Sequence, residues 1–343
     1  MMHGRVRAAW TLVAFALFAA PCPPSAAEEG GVLTQVRYSM GTLWTVEARG
    51  PKAEEAIAQA FAEVKRLDES LSTYRPESEL SRVNREAAKR WVTVSPETMG
   101  LLRRALAYAE ETGGAFDPTV GPLVRAWGFK YLDYQVPPAA RIAEARAKVG
   151  YRKVRLDPAK GVRFSQAGVE LDLGAIAKGY AVDRALAVMQ RHGAVAARVD
   201  AGGNQGVWGL PPAGQSWFFG IKHPRSEGDM LGVVPLSSGG ISTSGDNERG
   251  FWKDGVRYGH IVDPTSGAPV KGMVSVTVRA RTAEEADALS TCLYVLGEER
   301  GEALLARHPD ASALYVRAGS APGEFRTTVG AGFEWEEESD AAP

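Results

Sequence analysis

The chain has 343 residues, of which 45% are hydrophobic and 24% charged, and its formal net charge is −1. This is the composition of an ordinary globular protein, and the length suffices for one large domain or two smaller ones. A charge so close to zero argues against a nucleic-acid-binding surface, which needs clustered basic residues. The five histidines are scattered, which argues against a histidine-rich metal tract.

The first 27 residues are predicted to be a secretory signal peptide. Two arginines precede an apolar run at 8–20, which is too short to span a bilayer, and the small residues 25–27 offer a cleavage site. We therefore expect an exported protein, in the periplasm or at the outer face of the inner membrane. The alternative is a lipid anchor at Cys22, which Pro21 disfavours because it lies next to the bond to be cut. Cleavage would leave Cys292 as the sole cysteine, predicted to be a buried core residue.

The rest of the chain alternates helical and strand patterns. Helices are predicted at residues 52–71, 95–112, 138–149, 175–190, 283–296 and 298–308. Strands are predicted within residues 32–48, 154–173, 196–200, 207–244, 258–262, 274–279 and 312–317. The segments 73–85 and 117–132 are predicted to be connections. This order indicates one α+β domain over 32–333, with two lobes, and an acidic, disordered tail at 334–343.

The most informative segment is Leu171-Asp-Leu-Gly-Ala-Ile-Ala-Lys-Gly-Tyr-Ala-Val-Asp183. It places a carboxylate, a glycine and a lysine where a strand is predicted to turn into a helix. A helix N-terminus presents free N–H groups and favours negative charge, so it suits a phosphate. Asp172, Ala175 and Lys178 are three residues apart, so the members within the helix are expected to share one face. The segment predicts a site for a phosphate-bearing ligand without identifying that ligand.

The last long helix is predicted to carry oxygen-bearing side chains near its start. Thr282 and Glu285 have the spacing of a capping box, and Asp287, Ser290 and Thr291 are close enough to lie on one helix face. Such ligands suit Mg²⁺, which usually shares them with phosphate and water. The alternative, which this segment alone favours, is a solvated Asp287 with both hydroxyls bonded back to the helix.

The segment Tyr258-Gly-His260-Ile-Val-Asp263-Pro-Thr-Ser-Gly267 indicates a strand that delivers a histidine and a carboxylate into a turn. His260 would serve as a general base, because the reference pKa of histidine lies near neutrality. The alternative is a histidine held structurally by Asp263. The local sequence does not decide between the two.

Other segments carry weaker signals. Phe116 would lie against an aromatic ligand ring with Asp117 at its polar edge, although a rigid turn with a core aromatic is the default interpretation. The small-residue runs at 200–204 and 238–246 would let a ligand approach the backbone closely, but such runs are also typical of turns.

Six motifs, taken together and in this order, resemble the ApbE family, the FAD:protein FMN transferases. They are Met40-Gly-Thr42, Gly114-Ala-Phe-Asp-Pro-Thr-Val-Gly-Pro122, Asp172-Leu-Gly-Ala-Ile-Ala-Lys-Gly-Tyr-Ala181, Asp200-Ala-Gly-Gly-Asn204, His260-Ile-Val-Asp-Pro-Thr-Ser-Gly267 and Asp287-Ala-Leu-Ser-Thr291. The resemblance runs from about residue 32 to residue 329. It implies a single T-fold-like domain of two lobes, with mixed or antiparallel sheets and flanking helices.

The resemblance also implies an exported, Mg²⁺-dependent enzyme whose substrate is FAD. It would attach FMN to a threonine or serine of an acceptor flavoprotein, a subunit of a membrane redox complex, and release AMP. The residues implied to line the FAD site are Met40, Tyr74, Ala115, Phe116, Asp117, Asp172, Lys178 and Ile261. The implied Mg²⁺ ligands are the Ala175 carbonyl oxygen, Asp287, Ser290 and Thr291, and the implied catalytic residue is His260.

One position departs from the family pattern. Ser290 stands where family members can carry a second carboxylate, and a hydroxyl is the weaker ligand, so the metal would depend more on Asp287. In the expected mechanism His260, oriented by Asp263, takes the proton of the acceptor hydroxyl, and Lys178 adds a positive group. The alternatives are an FAD pyrophosphatase that uses water and a flavin-binding protein without turnover.

Overall fold

The computed structural model describes residues 31–212, 214, 216–226, 228–320 and 324–337. The predicted signal peptide and Cys22 lie outside these residues. The helices of this part of the chain are Ala53–Leu71 (α1), Glu79–Glu86 (α2), Pro96–Glu111 (α3), Gly121–Ala126 (α4), Ala139–Arg146 (α5), Ala177–Arg191 (α6), Ala283–Leu296 (α7) and Glu298–Leu305 (α8). The strands are Val32–Ser39 (β1), Thr42–Arg49 (β2), Val154–Asp157 (β3), Gly161–Phe164 (β4), Ala196–Ala201 (β5), Asn204–Trp208 (β6), Trp217–Lys222 (β7), Met230–Leu236 (β8), Gly239–Gly245 (β9), Gly250–Lys253 (β10), Val256–Gly259 (β11), Met273–Ala280 (β12), Ser312–Ala318 (β13), Phe325–Val329 (β14) and Glu336–Glu337 (β15).

A central antiparallel sheet organises the fold, with the strand order β1-β2-β5-β6-β9-β12-β13-β14. Because side chains alternate along a strand, each face of the sheet has its own partner. Helices α1, α6 and α7 cover one face and bury the main apolar core around Trp44, Val199 and Leu289. The three-stranded sheet β15-β8-β7 packs against the other face through a second core that includes Phe219 and Leu314.

A third apolar cluster fixes the β10–β11 hairpin, which leads directly to His260. Aromatic rings of the hairpin and of the segment after α4 lie with centroids 5.2 to 6.4 Å apart, and they belong to Trp127, Phe129, Tyr134, Phe251 and Tyr258. The indole Nε1 of Trp127 donates to the Gly267 carbonyl oxygen at 2.8 Å. The strand and the turn on either side of His260 are therefore anchored to the same cluster.

The α+β class and the antiparallel sheets are confirmed, but both predicted connections are wrong in part. Helix α2 begins inside 73–85 and ends at Glu86. Its N-cap residue, Ser78, accepts the Ser81 N–H through Oγ at 2.9 Å, and Leu80 is buried. Helix α4 lies within 117–132 and buries Leu123. The polar composition and Pro76 of 73–85, and the glycines and aromatic residues of 117–132, favoured connections over the helices that bury Leu80 and Leu123.

Two further expectations are corrected. The strand predicted to reach Leu173 ends earlier, since only Glu170 in that stretch makes an isolated bridge, to Val120. The predicted disordered tail is wrong at its start, because β15 pairs with Gly232 and Val233 of β8. No helix of the described ranges has the length and apolar character to cross a membrane.

Candidate active site

The helix junction, where Gly179 and Asp183 of α6 meet Ala283 and Asp287 of α7, forms the buried side of the site. A Cβ on Gly179 would lie 2.1 Å from the Ala283 carbonyl oxygen, so glycine permits the close crossing. The Asp183 carboxylate accepts the N–H groups of Ala283 and Glu284 at 2.9 and 2.8 Å. Asp287 Oδ2 accepts the N–H of Gly179 at 2.9 Å. Each helix therefore supplies a carboxylate that caps the first turn of the other.

Asn204 of β6 connects Asp287 to Lys178. In the amide orientation that pairs donors with acceptors, its nitrogen donates to Asp287 Oδ1 at 2.9 Å and its oxygen accepts from Lys178 Nζ at 3.1 Å. Burial raises the pKa of Asp287, while the Lys178 charge and the Gly179 N–H oppose that rise. The structure thus brings together the carboxylate and the ammonium that the sequence placed in two separate motifs.

The Ala175 carbonyl oxygen lies before α6, which begins at Ala177. The prediction that Ala175 and Lys178 share a helix face is therefore wrong. The N–H four residues after Ala175 belongs to Gly179 and donates to Asp287 instead of continuing the helical pattern. No hydrogen bond to the Ala175 oxygen occurs within the described residues, so this acceptor remains available to a cation.

The two hydroxyl groups of α7 differ in their surroundings. Ser290 is fully buried, donates to the Asp287 carbonyl oxygen at 2.9 Å and lies 2.9 Å from Ser244 Oγ. Thr291 is half-buried, with Oγ1 3.2 Å from Ser244 Oγ. The bond from Ser290 to its own helix is the alternative that the sequence left open. A role for Ser290 as a metal ligand stays a prediction.

The donor chemistry at the junction fits a hard cation. Asp287, Thr291 and the Ala175 carbonyl contribute a carboxylate, a hydroxyl and a backbone oxygen, which Mg²⁺ accepts together with phosphate oxygens. Across the described ranges, no three His, Cys, Asp or Glu side chains gather in a way that would hold a metal by themselves. A bound Mg²⁺ would draw on other oxygen donors, such as backbone carbonyls, hydroxyls and phosphates.

His260 follows β11 and is half-buried. Its backbone N–H donates to the Arg249 carbonyl oxygen at 3.1 Å, and its Nδ1 is buried without a hydrogen-bond partner among the described residues. Burial, and after it the charges of Lys178 and Arg249, lower the pKa of His260 to about 4. The ring is neutral near pH 7, which is the state a general base requires. The next residue, Ile261, packs against the main core.

The prediction that Asp263 orients His260 is wrong. Asp263 Oδ1 accepts the Thr265 N–H at 2.8 Å, and Oδ2 accepts the Ser266 N–H at 3.3 Å. These bonds are those of an aspartate that stabilises its own turn. His260 is instead positioned through its main chain, by the aromatic cluster and the Arg249 carbonyl.

An exposed aromatic wall, formed by Tyr74 and Tyr131 above the buried Lys130, lies near Asp172. The two tyrosine side chains are 56% and 65% exposed, and their rings meet edge to face with centroids 6.3 Å apart. The Lys130 ammonium lies 5.7 Å from the Tyr74 ring centroid and 5.9 Å from that of Tyr131. It is held by an ion pair to Glu170 at 2.8 Å. The lysine therefore fixes the base of an open aromatic surface.

Tyr74 also lies near Asp172, another residue predicted to line the FAD site. Partial burial and the Asp172 carboxylate raise the pKa of Tyr74, whereas the neighbouring Arg249 guanidinium opposes that rise. Arg249 Nη2 in turn lies 3.4 Å from the carbonyl oxygen of Gly41, beside Met40, whose φ is +48°. The segments that carry Met40 and Tyr74 thus converge on Arg249, and Asp172 lies near Tyr74.

The segment Ala115–Asp117 is buried. Phe116 lies in the main core, and Asp117 accepts the Thr119 N–H and the Tyr151 N–H, each at 2.8 Å. Burial raises the pKa of Asp117, and these hydrogen bonds oppose the rise. The contacts match the rigid-turn interpretation, so contact of this segment with FAD stays a prediction.

Sequence reasoning missed Asp183, Arg249, Lys130 and Glu248. Asp183 ends the most informative motif, but its partners are backbone N–H groups about a hundred residues away. Arg249 and Glu248 belong to the turn after β9. The sequence there indicated a turn but gave no sign that these two side chains belong to the site. Glu248 is exposed to solvent. Desolvation by the neighbouring protein nevertheless raises its pKa, and the Lys178 charge opposes that rise.

Known proteins of one family match most of the chain. The profile of the ApbE family matches residues 40–315. The FAD:protein FMN transferase of Treponema pallidum is 36% identical over 297 residues, which cover 81% of this chain and 82% of that protein. The protein of the same name from Salmonella typhimurium is 34% identical over 291 residues, covering 82% of this chain and 83% of its own length.

Solved structures show the same fold. The crystal structure of the ApbE protein from Thermotoga maritima superposes with a TM-score of 0.80 at 35% identity, over 88% of this chain and 97% of that one. The apo flavinyl transferase ApbE of Pseudomonas stutzeri gives 0.78 at 32% identity, over 88% and 95% of the two chains. The similarity therefore includes both faces of the central sheet.

Proposed function

Because the chain belongs to the ApbE family, and is a flavin transferase as its relatives are, we propose that it moves FMN from FAD to an acceptor protein. The proposed acceptor group is a threonine or serine hydroxyl, the reaction depends on Mg²⁺, and AMP is released. The proposed acceptor is a flavoprotein subunit of a membrane redox complex, which the enzyme meets after export through its signal peptide.

The observation that carries this proposal is the pairing of a hydrogen-bonded Asp287–Asn204–Lys178 set with a neutral histidine. Asp287 and Lys178 share the Asn204 amide, and Lys178 also acts electrostatically on His260. A ligand that reaches both groups needs a negatively charged phosphate and a bond whose cleavage benefits from a base. The pyrophosphate of FAD meets both requirements.

The proposed Mg²⁺ ligands are Asp287, Thr291 and the Ala175 carbonyl oxygen. When bound, the ion neutralises the pyrophosphate charge and stabilises the charge that develops on the leaving AMP. Lys178 adds a fixed positive charge beside it, held in place by Asn204 and by the Gly174 carbonyl oxygen at 3.2 Å.

His260 performs the proton transfer in this proposal. Its neutral ring accepts the proton of the acceptor hydroxyl while that oxygen forms a bond to the FMN-side phosphorus. The bond from this phosphorus to the bridging oxygen breaks, and AMP leaves in line with the attacking oxygen. The products are a phosphoester-linked FMN, AMP and one proton on His260.

Incubating the purified protein with FAD and Mg²⁺, with and without an acceptor flavoprotein, tests the proposal. Flavin fluorescence in the denatured acceptor band, lost when EDTA is added, is the expected result. Free FMN and AMP with no fluorescent band would assign the protein as a pyrophosphatase. Unchanged FAD would assign it as a flavin-binding protein.

His260→Ala should lower the transfer rate by about 10²- to 10⁴-fold and leave FAD affinity within about twofold. For the parent, the rate should be level above about pH 5 and fall below it, as His260 takes up a proton with a pKa of about 4. His192→Ala is the matched control, because His192 ends α6 with 37% of its side chain exposed. Equal rates for His260→Ala and the parent would remove this histidine from the mechanism.

A further inference from the structure

We propose that Arg249 is a substrate-binding residue and that its guanidinium holds the FMN-side phosphate of FAD. This inference rests on the proposed function and names the group that would bind the phosphate under attack. It concerns a residue of the turn after β9 for which the sequence suggested no role.

The position of Arg249 joins three parts of the site. Its Nη2 lies 3.4 Å from the Gly41 carbonyl oxygen at the tip of the β1–β2 hairpin. Its side chain acts on the Tyr74 hydroxyl, and its own carbonyl oxygen accepts the His260 N–H at 3.1 Å. A ligand that extends from the aromatic wall towards His260 would therefore pass this guanidinium.

The guanidinium also retains unused donors. Arginine has five N–H donors in a planar fork that suits two oxygens of one phosphate. Two nearby arginines are already engaged, since Arg225 binds Asp246 through two bonds of 2.6 Å and Arg257 donates to the Asp246 carbonyl oxygen at 2.7 Å. Arg249 is exposed, uses only part of its fork on the Gly41 carbonyl oxygen and the Tyr74 hydroxyl, and has no ion pair to a carboxylate within the described residues.

The neighbouring acid does not neutralise this fork. Glu248 directs its carboxylate over Gly203, where Oε1 lies 3.7 Å from the position that a Cβ would occupy. Glu248 and Arg249 interact through charge but make no ion pair, so the Arg249 guanidinium can still bind a phosphate. A phosphate brings two or more acceptor oxygens and more negative charge than a single carboxylate.

Three cations face His260 from three different elements. They are Lys178 of α6, Arg249 of the turn after β9 and Arg257 of β11, and all three disfavour its protonated form. A base that takes the proton of an attacking hydroxyl must lie within hydrogen-bond reach of that hydroxyl. The phosphorus under attack is one bond further, which places its non-bridging oxygens in the region of these cations.

The test compares ligands with and without the phosphate. Arg249→Gln should weaken binding of FAD and FMN by about 10-fold or more, since charge-assisted bonds to phosphate are lost. Affinity for riboflavin, which lacks the phosphate, and for AMP should stay within about twofold. Arg249→Lys, which keeps the charge but loses the fork, should fall between parent and Arg249→Gln. Arg281→Gln is the control, because Arg281 is 77% exposed and pairs with Asp310.

A second measurement separates ligand binding from a purely structural role. Arg249→Gln should leave the urea unfolding midpoint unchanged, because the Arg249 side chain is exposed, whereas a structural role would lower that midpoint and weaken riboflavin and FMN alike. Equal weakening of riboflavin and FMN, or weakening of AMP in place of FMN, would overturn the proposal. The affinity comparison requires no turnover, so it remains decisive if the parent protein proves to hydrolyse FAD or only to bind it.

Discussion

The helix junction and the aromatic wall are built in opposite ways. At the junction, Asp183 and Asp287 each accept backbone N–H groups of the facing helix, and Asp287 is 3% exposed. At the wall, Tyr74 and Tyr131 are more than half exposed and touch each other edge to face. Residues of the junction therefore stabilise the fold, whereas the exposed rings of the wall contribute little to it.

This difference predicts how substitutions should behave. Removing either aspartate of the junction should lower stability, because buried N–H groups are left unpaired, and removing Asp287 should lower transfer as well. A change at the wall should lower FAD affinity with little effect on stability, since the side chains bury little surface. The predictions below begin with the largest expected effect.

Gly179→Ala should be the most damaging change. Its Cβ would lie 2.1 Å from the Ala283 carbonyl oxygen and 2.7 Å from Asp287 Cβ, so the two helices would have to separate. We expect the free energy of unfolding to fall by about 3 kcal/mol, with loss of transfer. Gly100→Ala in α3 is the control, because its Cβ would meet only Arg104 Nη1 at 3.5 Å. That control should raise stability by about 0.5–1 kcal/mol, and urea denaturation that ranks the two variants alike would contradict the tight crossing.

Asp287→Ala and Asp183→Ala separate capping from chemistry at the junction. Each removes a carboxylate that accepts N–H groups in the first turn of the facing helix, so each should cost about 1–3 kcal/mol in urea denaturation. Asp287→Ala should in addition lower transfer by about 100-fold and abolish its Mg²⁺ titration. Asp183→Ala, assayed well below its unfolding midpoint, should retain most of its transfer, because within the described residues the Asp183 carboxylate accepts hydrogen bonds only from the backbone N–H groups of Ala283 and Glu284. Normal Mg²⁺ titration by Asp287→Ala would refute the metal assignment.

Tyr131→Ala should have the smallest effect, confined to the ligand. Loss of the edge-to-face contact frees the Tyr74 ring, and such contacts contribute about 0.5–1.5 kcal/mol, which corresponds to about a 2- to 10-fold loss of FAD affinity. Tyr131→Phe retains the ring and should bind FAD like the parent. Flavin fluorescence titration measures the affinity, and a thermal melt should show no change for either variant. A clear drop in melting temperature would show that the wall also stabilises the fold.

Local patterns predicted the elements that carry the junction. Helix α7 was predicted at its observed limits, and its capping spacing is confirmed, since Thr282 Oγ1 accepts the Glu285 N–H at 3.1 Å. These signals lie within a few residues of each other, so the sequence contains them directly. The short helices α2 and α4 escaped prediction because the polar residues and proline of 73–85, and the glycines of 117–132, are also typical of connections.

The ordered motifs sufficed for the family, and they named Asp287, Lys178 and His260 as candidates. They did not show that Ser290 donates to its own helix, or that Asp263 serves a turn instead of His260. The predicted role of Asp263 is wrong, while the ligand role of Ser290 stays a prediction, and both side chains have several partners within reach along the chain. Choosing among such partners requires the distances that folding creates.

The sequence by itself determined the class of fold, most of the long helices and strands, and the family to which the chain belongs. The tertiary structure alone decided that two helices cap each other through Asp183 and Asp287, and that Arg249 meets both Tyr74 and the His260 backbone. The repeating patterns of helices and strands involve residues close together in the chain, so they can be read from the sequence. Contacts between segments a hundred or more residues apart arise only when packing against the central sheet brings them together.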